Sequence, residues 1–329
     1  MTVRLLPSDV VAESAPMVDV ISAVEDAFDA YERGRVQMPA KSYVTLDQYE
    51  GDFRSMPAYI DAGDWDGAGI KWVNVHPRNP DKHDLPTVMG TMIYSDPETA
   101  LPLAFLDGTS VTMKRTGAAA AVATDHLAVE DASTLGIVGA GIQSYTQVDA
   151  ITEVRPIREI VVADPDDDRV DEFVDTYDEE FDVKRGSTSE AASADVLSTV
   201  TPVREPIVSL EDVGERTHIN AMGADAEGKQ ELETDIPLES TLVIDDHAQT
   251  THSGEINVPY SRGDLTDDDI YAELGEIVAG VKAGRETRDG ITVFDSTGLA
   301  IQDVATAHVV YETAVENGDG TELDLLNLS

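Results

Sequence analysis

Three cations stand in or beside apolar segments of the chain: Arg54 in "GDFRSMP", Lys71 in "GIKWVNV" and Arg115 in "MKRTGAA". A charge placed in such surroundings is costly unless an anion meets it. An internal carboxylate or an anionic ligand could fill that need. Arginine presents two parallel N–H donors that match a carboxylate. Lysine suits proton transfer, because desolvation and neighbouring cations draw its pKa down towards neutrality.

A second set of residues speaks of a nucleotide. The run "LGIVGAGIQSYTQ" places Gly139, Gly141 and Ser144 in the frame G-x-G-x-x-G/A, after an apolar strand and before a helical pattern, with Ser in place of the third glycine. Glycines there let the backbone turn tightly and approach a pyrophosphate, and the helix N-terminus offers free N–H groups. About twenty residues on, Asp164 ends the next strand, "EIVVAD", where a carboxylate can accept from a ribose 2′-hydroxyl. That predicts NAD rather than NADP, whose 2′-phosphate Asp164 would repel. Pro202, Gly223 and "DSTG" at 295–298 fall at the C-terminal ends of further predicted strands, the edge where doubly wound sheets bind ligands.

The elements that must position these residues fall into two groups. A helix, "VDVISAVEDAFDAYERG", is followed by strands at "KSYVTL", "FRSMPAYI", "GIKWVNV", "PTVMGTMIYS" and "LPLAFLDG", a mixed α+β pattern. "MKRTGAAAAVATDHLA" then reads as a helix leading out. From Ser133 strand and helix alternate, which predicts a parallel sheet covered on both faces. The expected class is α/β: a Rossmann-type doubly wound parallel sheet over 117–299, and a mixed α+β substrate and dimerisation domain over 1–116 plus 300–329. The last helix, "AIQDVATAHVVYETAVENG", is expected to pack back onto the first domain.

Composition narrows the function classes. The 329 residues contain 22 Lys plus Arg against 65 Asp plus Glu, a formal charge of −43, and no Cys. Disulfides, thiolate metal sites and cysteine nucleophiles are therefore excluded. So acidic a surface disfavours nucleic-acid or anionic-membrane partners. With 41% hydrophobic residues and regular patterning the chain is no disordered polyanion. A surface adapted to molar salt, in a halophilic and archaeal cytoplasm, fits best. The runs "DPDDDRVDE" and "LTDDDIY" read as solvated faces. The seven His show no ligand spacing, His76 reads as structural, and no metal is expected.

The runs "QMPAKSYV", "FRSMPA", "GIKWVNVHPRNPDK", "LPTVMG", "RTGAAAA", "GAGIQSYTQ", "THINAMGADAEGKQEL", "SGEIN" and "FDSTGLAIQDVA" cover nearly the whole chain in order. In them the chain resembles the ornithine cyclodeaminase and μ-crystallin family, and within it the archaeal alanine dehydrogenases. The resemblance implies a homodimer that takes an amino-acid substrate with NAD as cofactor. It makes Lys71 a catalytic acid or base and Arg115 a carboxylate ligand, with Lys41 and Arg54 lining the substrate pocket. Asp225 matches the acid/base position of the cyclodeaminases, and Asp295 the candidate in alanine dehydrogenases; the choice between them stays open. Thr87, Arg115, Thr116, Gly139, Gly141, Ile142, Gln143, Asp164, Thr201, Met222, Gly223, Ala224 and Ser296 are the implied cofactor contacts. The implied activity is reversible oxidative deamination of L-alanine to pyruvate and ammonium. The alternatives on the same scaffold are ornithine cyclodeamination, ketimine reduction, or a non-catalytic crystallin-like NAD(P)H-binding role.

The charge yields a test. At molar salt the Debye length is ~3 Å, so self-repulsion that loosens an acidic fold is screened. The melting temperature is expected to rise steeply as KCl is added up to molar concentration; a flat curve would remove the halophilic reading.

Overall fold

The computed structural model describes residues 2–286 and 290–325. The chain divides into two compact units, Met1–Arg115 with Leu299–Ser329, and Thr116–Gly298, each cut one residue before the expected boundary. The expected segment 300–329 runs beyond the described residues at 326–329.

The first unit is built on a mixed sheet. Its strands are β1 (Val3–Leu6), β2 (Val36–Gln37), β3 (Ser42–Leu46), β4 (Gly51–Asp61), β5 (Asp66–Val75), β6 (Val88–Ser95) and β7 (Pro102–Asp107). The chain's last described strand, Thr321–Leu323, joins beside β1. From that edge the order runs β1, β7, β6, β5, β4, β2, with β3 also pairing with β4. All pairs are antiparallel except β1 with β7. Short turns such as "GDW" and "SDPET" allow that antiparallel run. The helix Ala300–Asn317 packs against the helix Met17–Glu32 and against β4 and β5. Its first half, Ala300 to Ala307, is buried at every residue, so polar side chains there must find partners inside.

The second unit carries β8 (Thr134–Val138), β9 (Glu159–Ala163), β10 (Asp182–Arg185), β11 (Val196–Thr199), β12 (His218–Ala221), β13 (Thr241–Ile244), β14 (Ile270–Glu273) and β15 (Thr292–Asp295). All pairs are parallel, in the order β10, β9, β8, β11, β12, β15, β13, β14. Strands β8, β11, β12, β13 and β15 are buried almost throughout, as strands covered on both faces must be. The order reverses between β8 and β11, which makes their C-terminal ends a topological switch point.

Sequence patterning predicts neither β10 nor β14. Both are four-residue edge strands bearing charged residues, so they lack the apolar run that marks the interior ones. The long helix expected from Met113 starts earlier, at Gly108, directly after β7, and ends at Leu127. At its far end the buried guanidinium of Arg155 donates to the carbonyls of Thr124 at 3.0 Å and Val129 at 3.1 Å. Those are carbonyls at and just beyond the final turn, where a helix runs out of its own donors.

Candidate functional site

Lys71 lies in β5, with Met56 opposite in β4 and Met92 opposite in β6. Side chains alternate along a strand, and Arg54 pairs with Val73 in the same register. Arg54, Met56, Lys71 and Val73 therefore project from one face of the sheet. On that face Lys71 is buried to 1% exposure, and its Nζ donates to Asp303 Oδ1 at 2.6 Å and to Thr112 Oγ1 at 2.9 Å. Asp303 comes from the buried start of the helix Ala300–Asn317; Thr112 comes from the first turns of the helix Gly108–Leu127 and donates its own hydrogen bond to Gly108 O at 2.7 Å.

Arg115, one turn beyond Thr112 on the same helix, completes the cluster. Its Nε is 3.3 Å from Asp303 Oδ1, and its Nη1 reaches Gln302 Oε1 only at 3.4 Å. One carboxylate thus faces two cations. Desolvation lowers the pKa of Lys71 to about 8; the charges of Arg115 and Lys41 add to the lowering, and Asp303 opposes it. The lysine can therefore change protonation state near neutrality, as an acid or base must.

The cluster is also incomplete in itself. Arg115 Nε, Gln302 Nε2 and Asp303 Oδ2 are buried and without hydrogen-bond partners among the described residues. Buried polar atoms are nearly always satisfied, so three at one spot call for an explanation. A ligand with its own negative and positive groups would provide one: a carboxylate for the guanidinium and an ammonium for Asp303.

The remaining predicted substrate residues lie in the same unit. Arg54 is paired with Asp52 at 2.9 Å and lies over the ring of Tyr43, 5.5 Å from its centroid. Lys41 directly precedes β3, close enough for its charge to act on Lys71. Thr87 sits just before β6, its carbonyl accepting from His76 N at 2.8 Å.

In the second unit the glycine loop follows β8. Gly139 takes φ +101°, which glycine alone adopts freely, and its N–H donates to Ala163 O at 2.9 Å. Gly141 caps the helix Ile142–Val154 and offers no side chain to its first N–H groups. Nothing lies within 4 Å of the point where a Cβ on Gly141 would stand, and Ile142 is exposed. Ser144, in the third glycine position, is fully buried and donates to Gly141 O at 2.6 Å. Its hydroxyl is thereby satisfied without closing the loop. Uncapped N–H groups at a helix start, beside open backbone, fit a pyrophosphate. Asp164 directly follows β9, next to the loop, and accepts from Ala140 N and Asp166 N, both at 2.8 Å. Each of its oxygens keeps a further lone pair for a ribose hydroxyl.

The strand ends β11, β12 and β15 bring up the rest. Thr201, Met222, Gly223, Ala224 and Ser296 all stand just past these ends. Thr116 is the first residue of this unit and is buried. Gln143 lies in the first turn of the loop's helix, its carbonyl accepting from Thr146 Oγ1 at 3.1 Å. Asp225 pairs with Lys229 at 2.6 Å and is 44% exposed. Asp295 is fully buried, and its two oxygens accept from Glu255 N at 2.8 Å and Ile256 N at 2.9 Å. The carboxylate that actually meets Lys71 is Asp303, which sequence reasoning passes over. Its signal is the run "LAIQDVATA", where a lone carboxylate follows apolar residues on a helix too small-sided to be a surface.

A parallel sheet reversed at β8 and β11, a glycine turn onto a helix, and a buried lysine cluster in a separate mixed unit define a two-unit α/β protein of the dinucleotide-fold class. The model of the ornithine cyclodeaminase/mu-crystallin family matches residues 3–318, and the chain belongs to that family. It is 44% identical over 330 residues to alanine dehydrogenase of Archaeoglobus fulgidus, covering 100% of both chains. A solved archaeal alanine dehydrogenase dimer with bound NAD superposes with a TM-score of 0.94 at 44% identity, over 99% of this chain and 100% of that one. The Δ1-pyrroline-2-carboxylate reductase of Thermococcus litoralis, solved with NADH and L-proline, gives 0.92 at 36% identity, over 97% and 100%.

The ion cluster gives a stability prediction. Removing one member of a buried pair strands the other's charge, at a cost of about 3–5 kcal/mol. Asp303→Leu alone should lose about that much in urea unfolding near pH 7. The double variant Lys71→Met, Asp303→Leu should lose clearly less than the sum of the two single losses. Additive losses would show that the two side chains do not interact in solution.

Proposed function

We propose that the protein is an NAD-dependent amino-acid dehydrogenase that oxidises L-alanine to pyruvate and ammonium, reversibly. The observation that carries this reading is the buried cluster of Lys71, Arg115 and Asp303, with atoms left over for a zwitterion. The family relation and the 44% identity to an alanine dehydrogenase support it.

In this reading Arg115 binds the α-carboxylate, and Arg54 and Lys41 add positive charge around it. Asp303 Oδ2 accepts from the substrate ammonium while Oδ1 orients Lys71. Lys71 in its neutral form removes the proton that must leave the amine; once that proton has passed to solvent, it takes another from the water that adds at Cα and returns it to the departing amine. NAD, which the glycine loop and Asp164 would hold, would supply the hydride acceptor for the oxidation. Asp225, on the loop after β12, remains a candidate for further proton transfer. Asp295 is better suited to holding backbone, since it is fully buried and each of its oxygens accepts from a peptide N–H.

The same reading makes the protein a homodimer, as the NAD-bound archaeal relative is. Tyr43 and Val44 on β3 and Trp72 on β5 are exposed apolar groups available for such an interface. A sedimentation mass near the 35.4 kDa of one chain would exclude the dimer. The likeness to a Δ1-pyrroline-2-carboxylate reductase favours reduction of a cyclic ketimine as a second reading.

Purified protein in high salt with NAD decides among them. NADH is expected to form from L-alanine and to be consumed by pyruvate plus ammonium, with little proline from ornithine. Turnover of the cyclic ketimine far above that of pyruvate with ammonium would favour the second reading, and proline from ornithine without NADH from alanine would overturn the first. In the same assay Lys71→Met should lower kcat about 10²-fold or more. The deamination rate should rise with pH through a limb near 8, where Lys71 loses its proton. Asp303 raises the pKa of Lys71, so Asp303→Asn should move that limb to lower pH; an unmoved limb would assign it to another group.

A further inference from the structure

The strand ends of the second unit are tied together from beneath by carboxylates that no part of the proposed chemistry uses. Glu231, fully buried, accepts from Thr199 Oγ1 at 2.8 Å, Thr201 N and Thr201 Oγ1 at 2.7 Å each, and Gly223 N at 3.0 Å. It thus joins the loop after β11 to the loop after β12. The backbone of Glu231 is held in turn: Glu255 Oε1 accepts from Glu231 N at 2.8 Å and Leu232 N at 2.6 Å. Glu255 N donates to Asp295 at the end of β15. Three buried carboxylates therefore link three adjacent strand ends in series.

Two further contacts aim this staple at the glycine loop. A Cβ on Gly139 would stand 2.9 Å from Thr201 Cγ2, so Thr201 packs directly on the turn that follows β8. A Cβ on Gly223 would collide with Thr201 O and come within 2.5 Å of Glu231 Oε2. The glycine loop, Thr201 and Gly223 thus meet at van der Waals distance over one carboxylate. Those three loops flank the switch point, where a doubly wound sheet takes its ligand. Burial raises the pKa of Glu231; burial and the charge of Glu231 raise that of Glu255 further. A carboxylate so desolvated is held for the four donors it collects, and an amide in its place would turn a donor towards at least one of them.

We propose that Glu231 is a positioning residue for the dinucleotide: it fixes Thr201 and Gly223 against the glycine loop and so preforms the wall of the cofactor site. This rests on the reading of the second unit as the NAD-binding unit. Because the residue acts through loops it holds, its loss should weaken cofactor binding beyond any general loss of stability.

The test is NADH binding by fluorescence titration of the full-length protein in high salt, for wild type, Glu231→Gln, Thr199→Val and Ser198→Ala. Ser198 is buried in β11 and donates to Gln147 at 2.6 Å, away from Glu231, so its variant reports a polar loss in the same strand without the staple. The Kd for NADH is expected to rise about tenfold in Glu231→Gln and severalfold in Thr199→Val, which keeps the carboxylate but removes one donor, and to stay at the wild-type value in Ser198→Ala. Should Glu231→Gln fail to fold, Thr199→Val carries the test alone. Wild-type affinity in a folded Glu231→Gln, or an equal loss in Ser198→Ala, would overturn the inference while leaving the dinucleotide reading intact. No NADH binding by the wild type would overturn both.

Discussion

One carboxylate shared by two buried cations sets the terms for the first unit. Asp303 lies 2.6 Å from Lys71 Nζ and 3.3 Å from Arg115 Nε, and none of the three is free to leave. Removing several charges from water costs several kcal/mol each, and attraction to one anion repays only part of it. Such a cluster is poor stability design. Its consequence lies in titration, because the uncompensated desolvation is what holds Lys71 near pKa 8, while Arg115 Nε stays buried without a hydrogen-bond partner among the described residues.

That constraint explains the architecture around it. Lys71 needs a rigid floor, and β5 provides one as an interior strand paired along its length to β4 and β6. Asp303 needs a helix whose first turns can be wholly buried, and "LAIQDVATA" supplies small side chains that let the backbone approach the sheet. Thr112 and Arg115 need a helix that begins at the edge of the same sheet, which is why the helix starts at Gly108 directly after β7. The chain crosses into the second unit within that helix and returns just ahead of the helix that carries Asp303.

Much of this is legible in the sequence, for physical reasons that differ from place to place. Interior strands of the parallel sheet show as continuous apolar runs, and the glycine loop shows because a tight turn onto a helix leaves glycine little substitute. Lys71 stands out because a lysine inside "GIKWVNV" breaks an apolar run. Asp303 does not stand out in the same way: one Asp among 65 acidic residues is camouflaged by composition, and its partner lies 232 positions away. Glu231 is hidden for the same reason, since "GKQEL" looks like a surface turn until the four donors around its carboxylate are seen. Asp225 and Asp295 look alike in sequence, as acids at strand ends; only the structure separates one paired with a nearby lysine from one enclosed by peptide N–H groups. Edge strands β10 and β14 escape patterning because they have no second face to bury.

The acidity of the chain and the cationic cluster pose a joint electrostatic problem. A net charge of −43 sets up a field that repels the anionic groups of an amino acid and of a dinucleotide, and that favours the protonated form of any lysine it reaches. In dilute buffer the Debye length is tens of ångströms, so the whole surface would act on the site; at molar salt it is ~3 Å, and only neighbours in contact still count. Screening does not reach a buried pair to the same degree, so Asp303 and Arg115 keep their hold on Lys71 when the surface loses its own. High salt therefore acts selectively on this molecule: it removes the long-range repulsion of anionic groups and leaves intact the short-range charges that set the titration of Lys71.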